Sequence, residues 1–122
     1  MRVIVLTALV LVAAGCGGSD SPSSPPRATN KTWEVLTIEQ NFAPPFSTIA
    51  VGDTVAWSFN KASDGLGHDV HFNPRITGSP TDIGTPGKPI TSGTQTRVFA
   101  TKGDFHYVCD LHGGMTGEVI VE

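Results

Sequence analysis

Cysteine, basic residues and helix-forming patterns are all scarce in this sequence. Only two of its 122 residues are cysteine, and eight Lys or Arg residues stand against eleven Asp or Glu, a formal net charge of −3. This mild acidity argues against nucleic-acid binding, because proteins that bind nucleic acid present basic patches. No stretch has the apolar spacing of a helix and no segment repeats, so the sequence predicts neither a helical bundle nor a repeat architecture.

A long apolar run lies at the N-terminus. Met1 and Arg2 precede the run at 3–14, after which Gly15 leads to Cys16. A charged start, about a dozen apolar residues and a cut site of small residues are typical of a secretory signal, since a spanning helix needs roughly 20 apolar residues. The segment before the cysteine, residues 1–15, is therefore predicted to be a signal peptide. The mature protein is predicted to work outside the cytoplasm, in the periplasm or at the cell surface.

The end of this signal resembles a bacterial lipoprotein cleavage box. The sequence LVAAGC places Cys16 where the cysteine of such a box receives lipid and becomes the new N-terminus. The resemblance implies lipidation of Cys16 and a lipid anchor in a membrane, whereas the alternative is an ordinary signal with a chance cysteine. Residues 16–30 are rich in Gly, Ser and Pro, so we expect a flexible tether there, ahead of a single domain at 31–122.

The domain is predicted to be all strand. The segment TVAWSF at 54–59 alternates, with Val55, Trp57 and Phe59 on one face, which is the period-two pattern of a half-buried strand. We expect both Trp33 and Trp57 to lie in the core. Further segments rich in β-branched or aromatic residues lie at 32–39, 94–101, 104–109 and 117–122. Short strands in about ninety residues indicate an all-β fold, a two-sheet antiparallel β-sandwich with Greek-key connections.

One cysteine lacks a disulfide partner if Cys16 carries lipid. This residue, Cys109, lies in the segment YVCDLHGGM at 107–115, three residues before His112 and six before Met115. Residues three apart on an extended strand are separated by about 10 Å, so these side chains meet only where the chain curls. The two glycines between the histidine and the methionine permit such a curl, because glycine tolerates positive φ.

A histidine from a distant part of the chain is predicted to complete the set. In the segment HDVHF at 68–72, His68 shares its face with the apolar residues and is predicted to point inward, whereas Asp69 and His71 point the other way. His106, on the face opposite Cys109, is interpreted as a surface residue.

These side chains together offer two imidazoles, a thiolate and a thioether. Structural zinc sites seldom include methionine, whereas two histidines and a cysteine with a weak axial methionine describe an electron-transfer copper centre. The sulfurs favour Cu(I) and the imidazoles accept Cu(II). The sequence therefore predicts one copper ion that cycles between Cu(I) and Cu(II), held by His68, Cys109, His112 and Met115.

Three blocks of sequence carry a family resemblance. They are YVCDLHGGMTGEVIVE near the C-terminus, FAPPFSTIAVGDTVAWSF upstream, and GHDVHF between them. Together they resemble the plastocyanin-like blue copper proteins, the cupredoxins, and the short gap after His112 is similar to the ligand loop of the amicyanin type. The resemblance spans 31–122. It implies a cupredoxin fold with His68, Cys109 and His112 as equatorial ligands and Met115 as the axial ligand of a type 1 (blue) copper site.

The same resemblance implies roles for neighbouring groups. The carbonyl of Gly67 is expected to approach the ion as a distant contact. Where the family usually has an asparagine that ties the two ligand loops together, this sequence has Asp69, which we expect to accept a backbone N–H from the Cys109 loop. His112 is expected to expose its outer ring edge and to pass electrons to transient protein donors and acceptors, with the protein acting as a monomer.

Two other functions use the same sequence features. A copper storage or delivery lipoprotein would employ these ligands but exchange its metal readily, and a metal-free binding module would not need all four side chains. An enzyme is not expected. A Cys–His nucleophile pair needs an orienting third group and an oxyanion pocket, and a catalytic copper site keeps an open coordination position.

Overall fold

The computed structural model describes residues 29–122. The predicted signal peptide at 1–15, the predicted lipidation site Cys16 and almost all of the predicted tether at 16–30 lie outside the described residues. Among residues 29–122 no helix is long and apolar enough to cross a membrane. The described chain forms strands β1 (Thr32–Ile38), β2 (Asn41–Ala43), β3 (Phe46–Ile49), β4 (Thr54–Phe59), β5 (His71–Phe72), β6 (Gly93–Val98), β7 (Gly103–Val108) and β8 (Thr116–Val121).

The strands form two four-stranded sheets, ordered β2-β1-β4-β6 and β3-β8-β7-β5. The predicted all-β, two-sheet Greek-key sandwich is confirmed. The sheets are mixed and not wholly antiparallel as predicted, because β1 runs parallel to β4 and β3 runs parallel to β8. Parallel pairing needs a crossover connection, and the chain supplies one each time it leaves a sheet and returns to it.

The strand predictions differ from the structure mainly in the short elements. The prediction for 54–59 matches β4, and those at 32–39, 104–109 and 117–122 match β1, β7 and β8 to within one residue at each end. The strand predicted at 94–101 begins one residue earlier and ends at Val98, and the N–H of the next residue, Phe99, donates to the Asp53 carbonyl. The sequence did not predict β2, β3 or β5, each only two to four residues long.

An aromatic core fills the space between the sheets. Trp57 is fully buried, as predicted, and packs edge-on against Phe72 and Tyr107, with ring centroids 6.3 and 5.5 Å apart. Burial raises the pKa of Tyr107 to about 12. These rings belong to the same buried cluster as Cys109 and Met115, so the core is continuous with the candidate ligands.

Asp53 organises one end of the sandwich. Its carboxylate accepts hydrogen bonds from the hydroxyl of Thr29, the indole N–H of Trp33 (2.9 Å) and the backbone N–H groups of Lys31 (2.9 Å) and Ala50 (3.2 Å). These donors, the Thr29 hydroxyl foremost, hold the pKa of Asp53 well below its usual range. The prediction that Trp33 lies in the core is wrong. The residue is 39% exposed, because its indole is held at the edge of the sandwich by this carboxylate.

Candidate metal centre

The candidate ligands lie at the other end of the sandwich. Cys109 directly follows β7, and His112 lies in the turn that leads to β8. His68 comes from the connection between β4 and β5. Its backbone is fixed by two hydrogen bonds with Ile90, N–H to carbonyl in each direction, at 2.9 and 2.8 Å. Two separate parts of the chain thus bring a thiol and two imidazoles to one place.

The predicted curl of the segment 109–115 is confirmed. The N–H of Cys109 donates to the carbonyl of Met115 (2.9 Å), and the N–H of Met115 donates to the carbonyl of His112 (3.1 Å). Gly114 has a φ of 83°, a conformation that glycine adopts without steric cost. The loop therefore closes on itself, and all three ligand candidates in it are buried.

Three of the predicted donor atoms converge. The Cys109 sulfur lies 3.9 Å from Nδ1 of His68 and 3.5 Å from Nδ1 of His112, and the donor atoms of the three residues all lie within 4.8 Å of one another. Nitrogen and sulfur donors bound at roughly 2.0 and 2.3 Å to one ion, about 120° apart, are separated by about 3.7 Å. The observed spacings therefore fit a single bound metal ion.

The protonation of these donors follows from their burial. Burial raises the pKa of the Cys109 thiol, and burial together with the neighbouring His112 lowers the pKa of His68. The metal-free site thus holds a thiol and a neutral imidazole at neutral pH. Because a metal ion binds the thiolate and the neutral imidazole, it would displace a proton from Cys109 and none from His68.

Met115 is part of the same closed loop. Its side chain is almost completely buried and belongs to the hydrophobic core between the sheets. The backbone bond between its carbonyl and Cys109 places it at the base of the loop, directly before β8. Gly67 is also buried, and a Cβ there would lie 2.6 Å from the carbonyl oxygen of Ile90, so the tight packing beside His68 requires glycine.

Asp69 links the two parts of the site. Its Oδ1 accepts the backbone N–H of Asp110 at 2.7 Å, which confirms the expected contact with the Cys109 loop. The residue is buried, so the prediction that it points outward is wrong. This hydrogen bond turns its side chain inward. Burial raises the pKa of Asp69, and its Oδ2 has no hydrogen-bond partner in the described part of the chain.

The remaining histidines lie outside the site, as predicted. Nδ1 of His71 lies 2.8 Å from a carboxylate oxygen of Asp110, and both side chains are more than a third exposed. Nε2 of His106 lies 3.3 Å from Glu118, and more than half of the His106 side chain is exposed. Both imidazoles therefore lie beside carboxylates at the surface of the domain.

His112 is covered, and the prediction that its ring edge faces solvent is wrong. The residue is only 3% exposed, and its Nε2 lies 3.1 Å from Oδ2 of Asp64. The backbone N–H of Leu66 donates to the other Asp64 oxygen, and this bond is the main reason that the pKa of Asp64 is lowered. Sequence reasoning missed Asp64 because its local pattern, Ser-Asp-Gly, indicates only a turn.

Gly117 fixes the strand that follows the ligand loop. It pairs with Tyr107 across β7 and β8, and a Cβ at this position would lie 2.6 Å from Cε2 of the tyrosine ring and closer still to its outer atoms. The bare backbone lets the ring lie against the strand. Cys109 and Met115 each lie two residues from this pair, and the ladder continues to them through the bond between the Cys109 N–H and the Met115 carbonyl.

Residues 34–122 match the family described as copper binding proteins, plastocyanin/azurin family. Amicyanin of Paracoccus denitrificans is 29% identical over 126 residues, which cover 96% of this chain and 92% of that protein. Amicyanin-alpha of Methylorubrum extorquens is 31% identical over 90 residues, which cover 73% of this chain and 71% of that protein. The crystal structure of amicyanin from Paracoccus versutus aligns with a TM-score of 0.60 at 25% identity and covers 84% of this chain and 86% of that one.

These matches agree with the geometry of the site. Buried imidazole, thiol and thioether groups are the soft and intermediate donors that suit copper. The predicted copper cofactor and the predicted electron-transfer function are confirmed, and so is the resemblance to the cupredoxins. This chain belongs to the plastocyanin/azurin family of copper-binding proteins.

Proposed function

We propose that this copper-binding electron-transfer protein holds its ion through the side chains of His68, Cys109, His112 and Met115. The observation that carries the assignment is the convergence of one buried sulfur and two buried Nδ1 atoms at spacings that one ion spans. The copper ion, when bound, supplies a one-electron couple between Cu(I) and Cu(II). Met115 is assigned from its place in the loop and its burial.

The chain contributes a rigid and dry set of donors. The backbone bonds of Cys109 with Met115, and of His68 with Ile90, fix the ligand positions from two directions. A thiolate and two neutral imidazoles at fixed positions suit both oxidation states, so electron transfer requires little movement of the protein. The nearly complete burial of all four side chains excludes water from them.

The same donors would also serve copper storage or delivery, which requires a metal that leaves readily. The burial of His112 beneath Asp64 favours retention of the ion and therefore electron transfer. We propose further that the protein is a carrier and not an enzyme. Four protein donors would close the coordination sphere and leave no position for a substrate.

We also propose how the protein is presented to its partners. Residues 1–15 would act as a signal peptide, a lipid on Cys16 would anchor the protein to a membrane outside the cytoplasm, and residues 16–30 would tether the domain at 31–122. The support is the sequence pattern of the first thirty residues. The protein would act as a monomer that meets redox donors and acceptors briefly, through contacts that bury less than about 1,200 Å² in total.

The decisive test of the ligand assignment is optical. The test uses a protein of residues 16–122 in which Cys16→Ser leaves Cys109 as the one cysteine. Addition of Cu(II) to this protein should produce an intense thiolate-to-copper charge-transfer band. The band should disappear in Cys109→Ala and be lost or transformed in His68→Ala and His112→Ala. The matched control, His106→Ala, removes a surface imidazole and should keep the band. A colourless adduct with an ordinary tetragonal copper spectrum would refute the assignment.

Two rates distinguish electron transfer from copper delivery. Electron self-exchange of the copper protein is measured by NMR line broadening, and copper loss is measured with a competing chelator. Fast self-exchange with slow copper loss is expected. Prompt loss with sluggish exchange would favour delivery instead.

A further inference from the structure

The connection between β4 and β5 covers the imidazole of His112. The His112 side chain is 2% exposed, whereas the Asp64 carboxylate above it is 35% exposed and therefore faces both the ring and solvent. Oδ2 of Asp64 lies 3.1 Å from Nε2 of His112, and Nδ1 of the same ring lies 3.5 Å from the Cys109 sulfur. The carboxylate and the sulfur thus lie on opposite sides of one imidazole.

The position of Asp64 is fixed by bonds that do not involve His112. Its Oδ1 accepts the N–H of Leu66 at 2.9 Å, and the carbonyl of Leu66 accepts the N–H of Ala62 at 3.0 Å. The neighbouring residue, Ser63, donates its N–H and its hydroxyl to the carboxylate of Glu39. The loop is therefore anchored to itself and to the turn after β1, so the carboxylate is held in place before any metal binds.

The arrangement has a specific chemical effect on the imidazole. A neutral imidazole that binds a metal through Nδ1 must carry its proton on Nε2, and a carboxylate that accepts this proton's hydrogen bond fixes that tautomer and strengthens the Nδ1 donor. The other imidazole of the site lacks such a partner. Nε2 of His68 is buried, and no carboxylate among residues 29–122 is hydrogen-bonded to it.

We propose that Asp64 is a positioning residue for His112, which holds the ring as the Nε2–H tautomer, shields its outer edge and favours Cu(II) over Cu(I). This inference rests on the proposed function, in which His112 binds copper through Nδ1. A negative charge hydrogen-bonded to a ligand stabilises the more positive ion, so the carboxylate lowers the reduction potential. The covered ring edge also slows electron self-exchange relative to a protein with an open one.

The variants are chosen to separate charge, shape and location. Asp64→Asn keeps the shape of the side chain and removes its charge. Asp64→Ala removes the whole group that covers the His112 ring. Asp104→Asn is the matched control, because it removes the same charge from an exposed residue on β7 at the far end of the sandwich. Outer partners of a metal ligand typically alter metal affinity by about 10- to 100-fold.

The first readout uses the metal-free protein. Histidine ¹⁵N spectra of the wild type should show the Nε2–H tautomer of His112 with a slowly exchanging proton. Asp64→Ala should lose the slow exchange and mix the two tautomers, while Asp104→Asn should leave the spectrum unchanged. A wild-type His112 ring that exchanges its proton rapidly, or that is protonated on Nδ1, would overturn the proposal whatever the copper measurements show.

The second readout uses the copper-loaded protein. Asp64→Asn should lower the preference for Cu(II) over Cu(I) about tenfold, which corresponds to a rise of about 59 mV in the reduction potential. Asp64→Ala should also raise the rate of electron self-exchange. If the wild type is blue but Asp64→Asn shifts the potential no more than Asp104→Asn does, the proposal is wrong and the copper function stands. If the wild type binds no copper as a thiolate complex, the proposed function fails and the tautomer measurement alone decides the role of Asp64.

Discussion

Replacing Gly117 by alanine tests whether the close packing of Tyr107 against β8 stabilises the domain. The new methyl group would lie 2.6 Å from Cε2 of Tyr107, whereas carbon atoms pack best at about 3.5–4.0 Å. The ring would therefore have to withdraw by about 1 Å or more. It has little room to do so, because its centroid lies 4.8 Å from that of Phe42 and 5.5 Å from that of Trp57.

The expected cost follows from this crowding. Overpacking a filled core costs about 1–3 kcal/mol, and a ring enclosed on several sides should bring the cost to about 3 kcal/mol. In a domain of this size each kcal/mol lowers the melting temperature by about 4–8 °C. Gly117→Ala should therefore lower the melting temperature of the metal-free protein by about 12–24 °C.

The assay is thermal unfolding of the metal-free protein, followed by near-UV circular dichroism. Gly113→Ala is the matched control, since a Cβ there meets nothing within 4 Å, and its effect should stay within about 0.5 kcal/mol. Combining Gly117→Ala with Tyr107→Leu should cost less than the sum of the single changes, by about 1 kcal/mol or more. The reasoning is wrong if Gly117→Ala melts within about 2 °C of the wild type.

Three further predictions concern single side chains. Asp53→Asn should destabilise the protein in urea at pH 7. Because the folded-state pKa is lowered, the carboxylate stabilises above about pH 4 and loses this effect in acid, so the difference from the wild type should shrink at pH 3. An equal difference at both pH values would contradict this. Asp69→Asn should stabilise the metal-free protein by about 1 kcal/mol at pH 7, because it removes a buried negative charge whose Oδ2 has no hydrogen-bond partner among residues 29–122. The folded-state pKa of Asp69 is raised, so this gain should vanish below about pH 4, and a loss at pH 7 in urea unfolding would refute the argument. Met115→Leu should keep the blue colour and raise the reduction potential in voltammetry, because thioether donation to Cu(II) is lost; an unchanged potential would exclude axial ligation.

The sequence predicted the features that local pattern encodes. The alternation of Val55, Trp57 and Phe59 defined β4 and its buried face, because side chains two apart on a strand share one side. The spacing of Cys109, His112 and the glycines predicted the curled loop, since only a curl brings those side chains together. Each of these two features depends on residues within a single short segment of its own.

The features that the sequence did not predict depend on distant partners. Asp64 lies 48 residues before His112, and no local pattern links a turn carboxylate to a ligand that far along the chain. Trp33 has the composition of a core residue, yet a carboxylate 20 residues away holds its indole at the edge. Likewise, the parallel pairing of β1 with β4 depends on the path of the chain between the sheets and not on the pattern of either strand.

The bonds of Thr29 and Lys31 to Asp53 hold this part of the chain at the end of the sandwich opposite the candidate metal centre. Strand β4 starts beside Asp53 and runs six residues, about 20 Å, before the chain turns into the loop that caps His112. The segment ahead of Thr29 therefore joins the domain at the end that holds Asp53. An attachment made through that segment would leave the end that carries the candidate metal centre pointing away from the attachment point.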